Sequence, residues 1–317
     1  LTRFGRALIA YPGGCDIGLR PIDLHLNALK RLGVTISERD GFIFCECARL
    51  RGAEILLDFP SVGATENILL AAVKAEGKTV LTGAAKEPEI VDLQNFLNAM
   101  GAHISGAGTD VIEIEGVREL HGVTYRPMKD RIEAGTYLLA GAACGGEVEV
   151  VGVTPENIRL LLHKLRENGC KIHAKNDKIR VESRGRLKCN RRIETVPFPG
   201  FPTDLQAQAT ALNASCEGCA LIVENLFETR FKYVPVLQKM GADIEVRGRT
   251  AFVRGVKKLH GARVVAGDLR GGAALVIAAL SAEGESEVLD LSHIDRGYAD
   301  FRGKLRKLGA DIRRVRI

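Results

Sequence analysis

Two side chains in this sequence have the type and the setting for proton-transfer or covalent chemistry. The first is Cys15, in the run Pro12-Gly13-Gly14-Cys15-Asp16-Ile17-Gly18-Leu19-Arg20. Glycines 13, 14 and 18 let the backbone bend and approach a ligand closely. With no helical or strand period around it, the thiol is expected to be more accessible than a cysteine in its usual buried place. Arg20, five residues on, can lower the thiol's pKa or hold an anionic group beside it. The plain alternative is a glycine-rich turn with an idle cysteine. The second side chain is Asp204, in Pro197-Phe198-Pro199-Gly200-Phe201-Pro202-Thr203-Asp204-Leu205-Gln206. Three prolines in six residues enforce an extended approach to a helix, which Thr203 or Asp204 can then cap. A carboxylate at a rigid helix start is also well placed as a general base. Spacing alone leaves both readings open.

Arg131, Arg230, Arg270 and Arg296 stand at comparable junctions. A guanidinium binds phosphate or carboxylate through a planar fork, and helix N-termini add backbone donors for anions. Each arginine taken singly reads as a surface charge, but their recurrence at the same kind of place points to a shared anionic-ligand cleft. Other candidates are weaker. Gly77-Lys78-Thr79 resembles the end of a phosphate loop, but position 72 is alanine where glycine is required, and the tripeptide follows a helix. No Gly-x-Gly-x-x-Gly opens a helix after a strand, so a dinucleotide site is unsupported. Cys216-Glu217-Gly218-Cys219 has the spacing of a zinc or redox pair without two further ligands nearby; Cys45 and Cys47 could complete it only through the fold. Small side chains packed at a helix-to-strand junction are the simpler reading. His293-Ile294-Asp295-Arg296-Gly297 reads as a hydrogen-bonded turn, and no metal or cofactor is called for.

The elements that must position these residues follow a repeat. Leu29-Lys30-Arg31-Leu32-Gly33-Val34 recurs at Leu97–Ala102, Leu165–Cys170, Leu237–Ala242 and Leu305–Ala310. The glycines 33, 101, 169, 241 and 309 are 68, 68, 72 and 68 residues apart, a period hard to explain by chance. Each copy reads as an amphipathic helix with a glycine cap and a strand immediately after it. Upstream lies a second helix, starting near Gly63, Ile132, Thr203 and Leu269, and between the helices a strand at residues 79–81, 148–150, 221–223 and 288–290. The unit is therefore strand, helix, strand, helix, then two strands, of the α/β class. By this period the first copy's companion helix falls before residue 1, so the chain is expected to start in mid-unit. A domain boundary fits near Tyr125–Met128, where a strand is expected to end and Asp130 to cap a new helix, giving domains 1–127 and 128–317.

At 317 residues, 46% hydrophobic and 26% charged, the chain has the size for two domains and an ordinary globular composition. The apolar run Ala273–Leu280 is too short to span a bilayer. A net charge of +6 is dispersed, and aromatics make up 5%, unlike nucleic-acid binders that cluster cations with stacking rings. The excess suits small anionic substrates at least as well, and neither a nucleic-acid nor a membrane partner is expected. Eight cysteines in a chain this long read as reduced thiols of a cytoplasmic protein.

Together these stretches resemble the UDP-N-acetylglucosamine 1-carboxyvinyltransferase family. The resemblance is carried by residues 12–26, Phe59-Pro60-Ser61-Val62-Gly63-Ala64-Thr65-Glu66-Asn67, Glu87–Asp92, Asp130-Arg131-Ile132-Glu133-Ala134-Gly135-Thr136, Gly200–Gln208, Phe227-Glu228-Thr229-Arg230-Phe231, Asp268-Leu269-Arg270 and His293–Tyr298. They run in family order through the whole chain. The related shikimate-pathway carboxyvinyltransferase shares the fold without the cysteine loop, so Cys15 favours the cell-wall enzyme. The resemblance implies a two-domain inverted α/β barrel-like fold of βαβαββ units, of which five of six are present and the first is incomplete. It also implies substrates between the domains, with the Cys15 loop as a lid.

The implied reaction moves the enolpyruvyl group of phosphoenolpyruvate to the 3′-hydroxyl of UDP-N-acetylglucosamine, with release of phosphate, for peptidoglycan synthesis and without a cofactor. Asp204 matches the family's base and Cys15 its proton donor, which can also form an adduct with phosphoenolpyruvate. Arg20, Pro21, Ile22, Asp23 and Leu24, with Phe59, Pro60, Ser61 and Val62, match contacts to the nucleotide sugar. Thr203, Leu226 and Phe227 match the sugar pocket. Arg131, Arg230, Asp268, Arg270 and Arg296 match cleft residues, the last two arginines on the phosphoenolpyruvate side. Phe59 stands where some relatives carry lysine, so a charge contact to the diphosphate is in doubt. A Lys-Asn pair and an arginine that the family places before the glycine loop have no match. Losing that charge stabilisation leads to the expectation that this chain alone is inactive or nearly so, and its full-length parent active. A non-catalytic fragment, or a nucleotide-sugar-binding protein of the same fold, is the alternative.

Overall fold

Five copies of Leu-x-x-x-Gly end five helices in the same way. In the computed structural model, which describes residues 1–11 and 21–315, the helices Asp23–Arg31, Pro88–Ala99, Arg159–Asn168, Val234–Lys239 and Phe301–Lys307 each precede one of these glycines. Every one of the five has φ between 88° and 101°, the left-handed region that a residue with a Cβ resists. The next residue donates its N–H back to the leucine carbonyl: Val34 to Leu29 at 3.0 Å, Ala102 to Leu97 at 3.0 Å and Ala242 to Leu237 at 3.2 Å. The bond satisfies a helix-end carbonyl, and the motif sets a leucine beside the first apolar residue of the next strand.

The strands after the first four glycines, Thr35–Arg39, His103–Ser105, Lys171–Lys175 and Asp243–Arg247, each form an antiparallel hairpin with the strand that follows. After Gly309 the expected strand is absent: residues 310–315 are irregular and have no hairpin partner among the described residues. Residues 117–130 likewise form no strand. The Tyr125 hydroxyl and the Met128 N–H both bond to Asp92 Oδ1, at 2.9 and 3.2 Å, which ties this segment to a helix instead of a sheet.

The described residues fall into two compact units, 1–11 with 21–128, and 129–315. In the first, a three-stranded antiparallel sheet (Arg6–Ala10, Phe42–Glu46, Thr35–Arg39) accompanies a four-stranded one in the order Glu54–Leu56, Lys78–Thr82, Val111–Glu115, His103–Ser105. The first pair of the latter is parallel and the rest antiparallel. The second unit repeats that mixed order in Arg192–Thr195, Cys219–Glu224, Thr250–Arg254 and Asp243–Arg247. Its other sheets are a three-stranded antiparallel one (Glu147–Val151, Lys178–Glu182, Lys171–Lys175) and the parallel pair Arg263–Val265 with Glu287–Leu289.

Three inner helices, Arg131–Cys144, Gln206–Asn213 and Leu269–Ser281, pack pairwise in the core of the second unit. All eight residues of Gln206–Asn213 are buried, including four polar ones, and each of the four has at least one hydrogen-bonded side-chain atom, although Gln206 Nε2 and Gln208 Oε1 are unpartnered among the described residues. Gln206 Oε1 and Thr210 Oγ1 each pair with the Tyr233 hydroxyl at 2.9 Å, and Asn213 accepts from the Asn190 N–H at 2.8 Å. The helices approach so closely that a Cβ on Gly135 would meet Leu205 Cδ1 at 2.6 Å. No helix among the described residues is long and apolar enough to cross a membrane.

Candidate active site

The N-terminal ends of the three inner helices carry Arg131, Thr203 with Asp204, and Asp268 with Arg270. Asp130 caps the first, with Oδ1 accepting from the N–H groups of Ile132 and Glu133 at 2.7 and 3.0 Å. Asp268 caps the third in the same way, accepting from Arg270 and Gly271 at 3.0 Å each. Asp204 does not cap the second. The extended Pro202 leads into a short 3-10 turn, Thr203–Leu205, with no side-chain cap. The capping reading of Asp204 therefore fails, and so does that of Thr203, whose hydroxyl is bonded to Glu224.

The Asp204 carboxylate lies between two guanidinium groups. Arg230 Nη2 donates to Oδ1 at 2.6 Å, and Arg270 Nη2 donates to Oδ2 at 3.0 Å. The side chain of Arg230 is only 3% accessible and that of Arg270 14%, whereas Asp204 keeps 39%. The acid thus remains reachable from solution while its cations are set in the protein. Burial works to raise the Asp204 pKa, but attraction from Arg270 and Arg230 outweighs it and holds the carboxyl below the ordinary aspartate range. Burial likewise works against the charge on Arg270, and Asp204 more than restores it, so its pKa is raised.

A hydrogen-bonded chain links the three helix starts. Arg270 Nη1 donates to the Tyr298 hydroxyl at 3.2 Å, which lies 3.0 Å from Thr136 Oγ1; Thr136 donates to the Ile132 carbonyl at 2.8 Å. Gln208 Nε2 joins Thr136 Oγ1 at 3.1 Å to the Asp204 carbonyl at 2.9 Å. A carboxylate paired with a buried Arg230 and a more accessible Arg270, beside a buried polar network, sets a potential base next to a cation that an anion could reach.

The other sequence candidates are placed as follows. Arg131 is buried at the first inner helix, its guanidinium 5.7 Å from the centroid of the Phe198 ring. Leu226 and Phe227 are half-buried, their N–H groups bonded to Glu224 Oε1. Arg296 is exposed just after the short helix Ser292–Asp295. In the first unit, Ser61 caps the helix Val62–Ala72 by accepting from the Ala64 N–H at 3.3 Å. Phe59 is exposed and Pro60 half-buried. Pro21, Ile22, Asp23 and Leu24 sit at the start of the helix Asp23–Arg31, which packs against Val62–Ala72. His25 Nδ1 there lies 2.6 Å from Asn67 Nδ2, and the ring would meet a Cβ on Gly63 at 3.1 Å. The two candidate stretches of this unit are thus held at neighbouring helix starts. Cys15 and Arg20, with the glycine loop, lie outside the described residues.

Three residues of the site were not among the sequence candidates: Glu224, Gln208 and the hydroxyl of Tyr298. The only sequence signal for Glu224 is an acid closing the apolar run Ala220-Leu221-Ile222-Val223. Of the paired cysteines, Cys216 is buried and Cys219 exposed, and no group of three potential metal ligands occurs among the described residues.

Comparison with known proteins identifies the family of the chain. The family model for EPSP synthase (3-phosphoshikimate 1-carboxyvinyltransferase) matches residues 1–305. UDP-N-acetylglucosamine 1-carboxyvinyltransferase 2 of Caldanaerobacter subterraneus subsp. tengcongensis is 54% identical over 315 residues, 99% of this chain and 76% of that protein. The UDP-N-acetylglucosamine 1-carboxyvinyltransferase of Clostridium botulinum is 49% identical over 99% of this chain and 75% of its own. Among solved structures, the enolpyruvyl transferase NikO from Streptomyces tendae superposes with a TM-score of 0.86 at 27% identity, covering 98% of this chain and 74% of that one. EPSP synthase from Acinetobacter baumannii, at 18% identity and a TM-score of 0.70 over 95% of this chain and 73% of that one, shares the fold.

Proposed function

The chain belongs to the EPSP synthase family and, within it, to the UDP-N-acetylglucosamine 1-carboxyvinyltransferases, and from that premise we infer both its reaction and the residues that carry it. It transfers the enolpyruvyl group of phosphoenolpyruvate to the 3′-hydroxyl of UDP-N-acetylglucosamine, a step of peptidoglycan precursor synthesis in the cytoplasm. The observation that carries the site assignment is the Asp204 carboxylate held between Arg230 and Arg270 at an accessible helix start.

Asp204 takes the proton of the 3′-hydroxyl as that oxygen bonds to C2 of phosphoenolpyruvate. Cys15 supplies the proton that C3 gains, giving a tetrahedral phospho-ketal. Loss of the C3 proton with departure of phosphate restores the double bond on the sugar. Arg270 and Arg296 receive the phosphate and carboxylate of phosphoenolpyruvate, in a site that Arg131 makes more positive. Thr203, Leu226 and Phe227 line the sugar pocket. Residues 20–24 and 59–62 serve nucleotide-sugar binding, and Asp268 serves the cleft by fixing the turn that presents Arg270.

The depressed pKa of Asp204 fits this role in one specific way. A carboxylate neutralised by two arginines is a weak base. An anionic substrate that draws Arg270 toward itself takes one cation from Asp204 and raises its basicity as the hydroxyl arrives.

The test is release of phosphate from phosphoenolpyruvate that depends on UDP-N-acetylglucosamine and is lost in Asp204→Asn. Release that is unaffected by this change refutes the assignment of the base. Absence of release, with the nucleotide sugar still bound, favours instead the alternative of a non-catalytic fragment or a nucleotide-sugar-binding protein of the same fold.

A further inference from the structure

The strand Cys219–Glu224 runs through the core and ends on a side chain with no solvent exposure, Glu224. A buried carboxylate is costly unless donors surround it, and three do. Oε1 accepts from the N–H groups of Leu226 at 2.9 Å and Phe227 at 3.2 Å, folding the chain back over the strand end. Oε2 accepts from the hydroxyl of Thr203 at 2.9 Å, across 21 residues of sequence. These three donors are the residues assigned above to the sugar pocket.

We propose that Glu224 is the positioning residue of that pocket: it anchors Leu226 and Phe227 and fixes the Thr203 hydroxyl so that its oxygen faces the ligand as an acceptor. The pocket then selects a sugar that brings a donor, a hydroxyl or an amide N–H, to Thr203. The inference rests on the carboxyvinyltransferase reading of the site.

A carboxylate has only lone pairs to offer, and a hydroxyl has a single proton. With that proton committed to Oε2, Thr203 Oγ1 has only lone pairs left, and the half-buried side chain keeps them accessible. The same residue is held from its other side, where its carbonyl accepts from Arg230 Nη2 at 3.1 Å. The Arg230 guanidinium in turn lies 5.5 Å from the centroid of the Phe227 ring. Thr203 therefore has neither backbone nor hydroxyl freedom with which to adapt to a different ligand.

The experiment reverses the polarity without changing the shape. In Glu224→Gln the side-chain oxygen still serves the two amides, but the new NH2 donates to Thr203 Oγ1, whose proton then points at the ligand. Donor then meets donor, so titration calorimetry is expected to show UDP-N-acetylglucosamine binding weakened about tenfold. UDP, which lacks the sugar, should bind within about twofold of its original affinity; a general loosening of the fold would weaken both. Thr203→Val should lose a similar factor and make Glu224→Gln nearly silent in the double variant, whereas Thr203→Ser should retain binding. Unchanged UDP-N-acetylglucosamine affinity in folded Glu224→Gln, or equal weakening of UDP, overturns the inference and leaves the functional reading standing. Should Glu224→Gln not fold, Thr203→Val decides, and unchanged binding there overturns it. Failure of the unsubstituted protein to bind UDP-N-acetylglucosamine overturns the functional reading and this inference with it.

Discussion

One nitrogen of Arg230 serves two consecutive residues: Nη2 donates to the Thr203 carbonyl at 3.1 Å and to Asp204 Oδ1 at 2.6 Å. The partner of Oδ2, Arg270, is the more accessible of the two cations. The carboxylate is thus paired with one buried cation and one that is partly accessible. On the proposed function, Arg230 would work as scaffold and Arg270 would be available for exchange.

Arg230→Met should therefore reduce stability as well as rate. Breaking a fully buried ion pair costs about 3–5 kcal/mol. Asp204 keeps Arg270 and part of its hydration, so a loss of about 1–3 kcal/mol is expected. Arg270→Met, whose loss leaves the buried cation paired, should unfold at nearly the original denaturant midpoint while phosphate release collapses. Equal destabilisation by the two changes would contradict the division of roles.

Asp204→Asn keeps the shape of the side chain and removes the base. Loss of a positioned general base lowers rates by about 10²–10⁴, so turnover should fall into that range. UDP-N-acetylglucosamine affinity should change far less, because the base contributes to the transition state more than to ground-state binding. A variant within tenfold of the original kcat would remove Asp204 from the reaction.

The arginines also set a pH dependence. An unperturbed aspartate titrates near about 3.9, and Asp204 in the folded protein titrates below that. A carboxyl with a depressed folded pKa adds stability that is complete above its unfolded value and is lost as pH falls through the folded one. The Asp204 contribution should therefore persist at neutral and mildly acidic pH and disappear only below about pH 4. In Arg270→Gln one attraction is gone, so the carboxyl should move upward toward the ordinary value. A 13C titration of the aspartate carboxyls, with Asp204 identified by its absence in Asp204→Asn, would read the shift; an unmoved midpoint would show that Arg270 has no hold on it.

What could be read from sequence divides along physical lines. The glycine caps and the inner helix starts were legible because each depends on residues within one turn: a left-handed φ, a leucine four positions earlier, an aspartate before a helix. The use made of Asp204 was not, since its partners lie 26 and 66 residues away and local spacing predicts a cap equally well. Glu224 was invisible for the same reason. The strand expected before Met128 failed because bonds to Asp92, more than 30 residues upstream, outweigh the local β-propensity of Val123-Thr124-Tyr125.

The repeated glycines allow two costs to be separated. Gly241 and Gly309 occupy the same place in their copies, with φ of 88° and 98°. A Cβ on Gly309 would meet nothing within 4 Å, whereas on Gly241 it would meet His260 Cδ2 at 2.8 Å. Gly309→Ala should therefore show the backbone penalty alone, about 1 kcal/mol. Gly241→Ala should add the displacement of the His260 ring, whose own backbone N–H is bonded to the Met240 carbonyl at 2.8 Å, bringing the total to about 2–4 kcal/mol. Urea unfolding of the two variants beside the unsubstituted protein measures the difference. Equal losses would mean that the helix cap accounts for the whole effect and that the contact with His260 yields without cost.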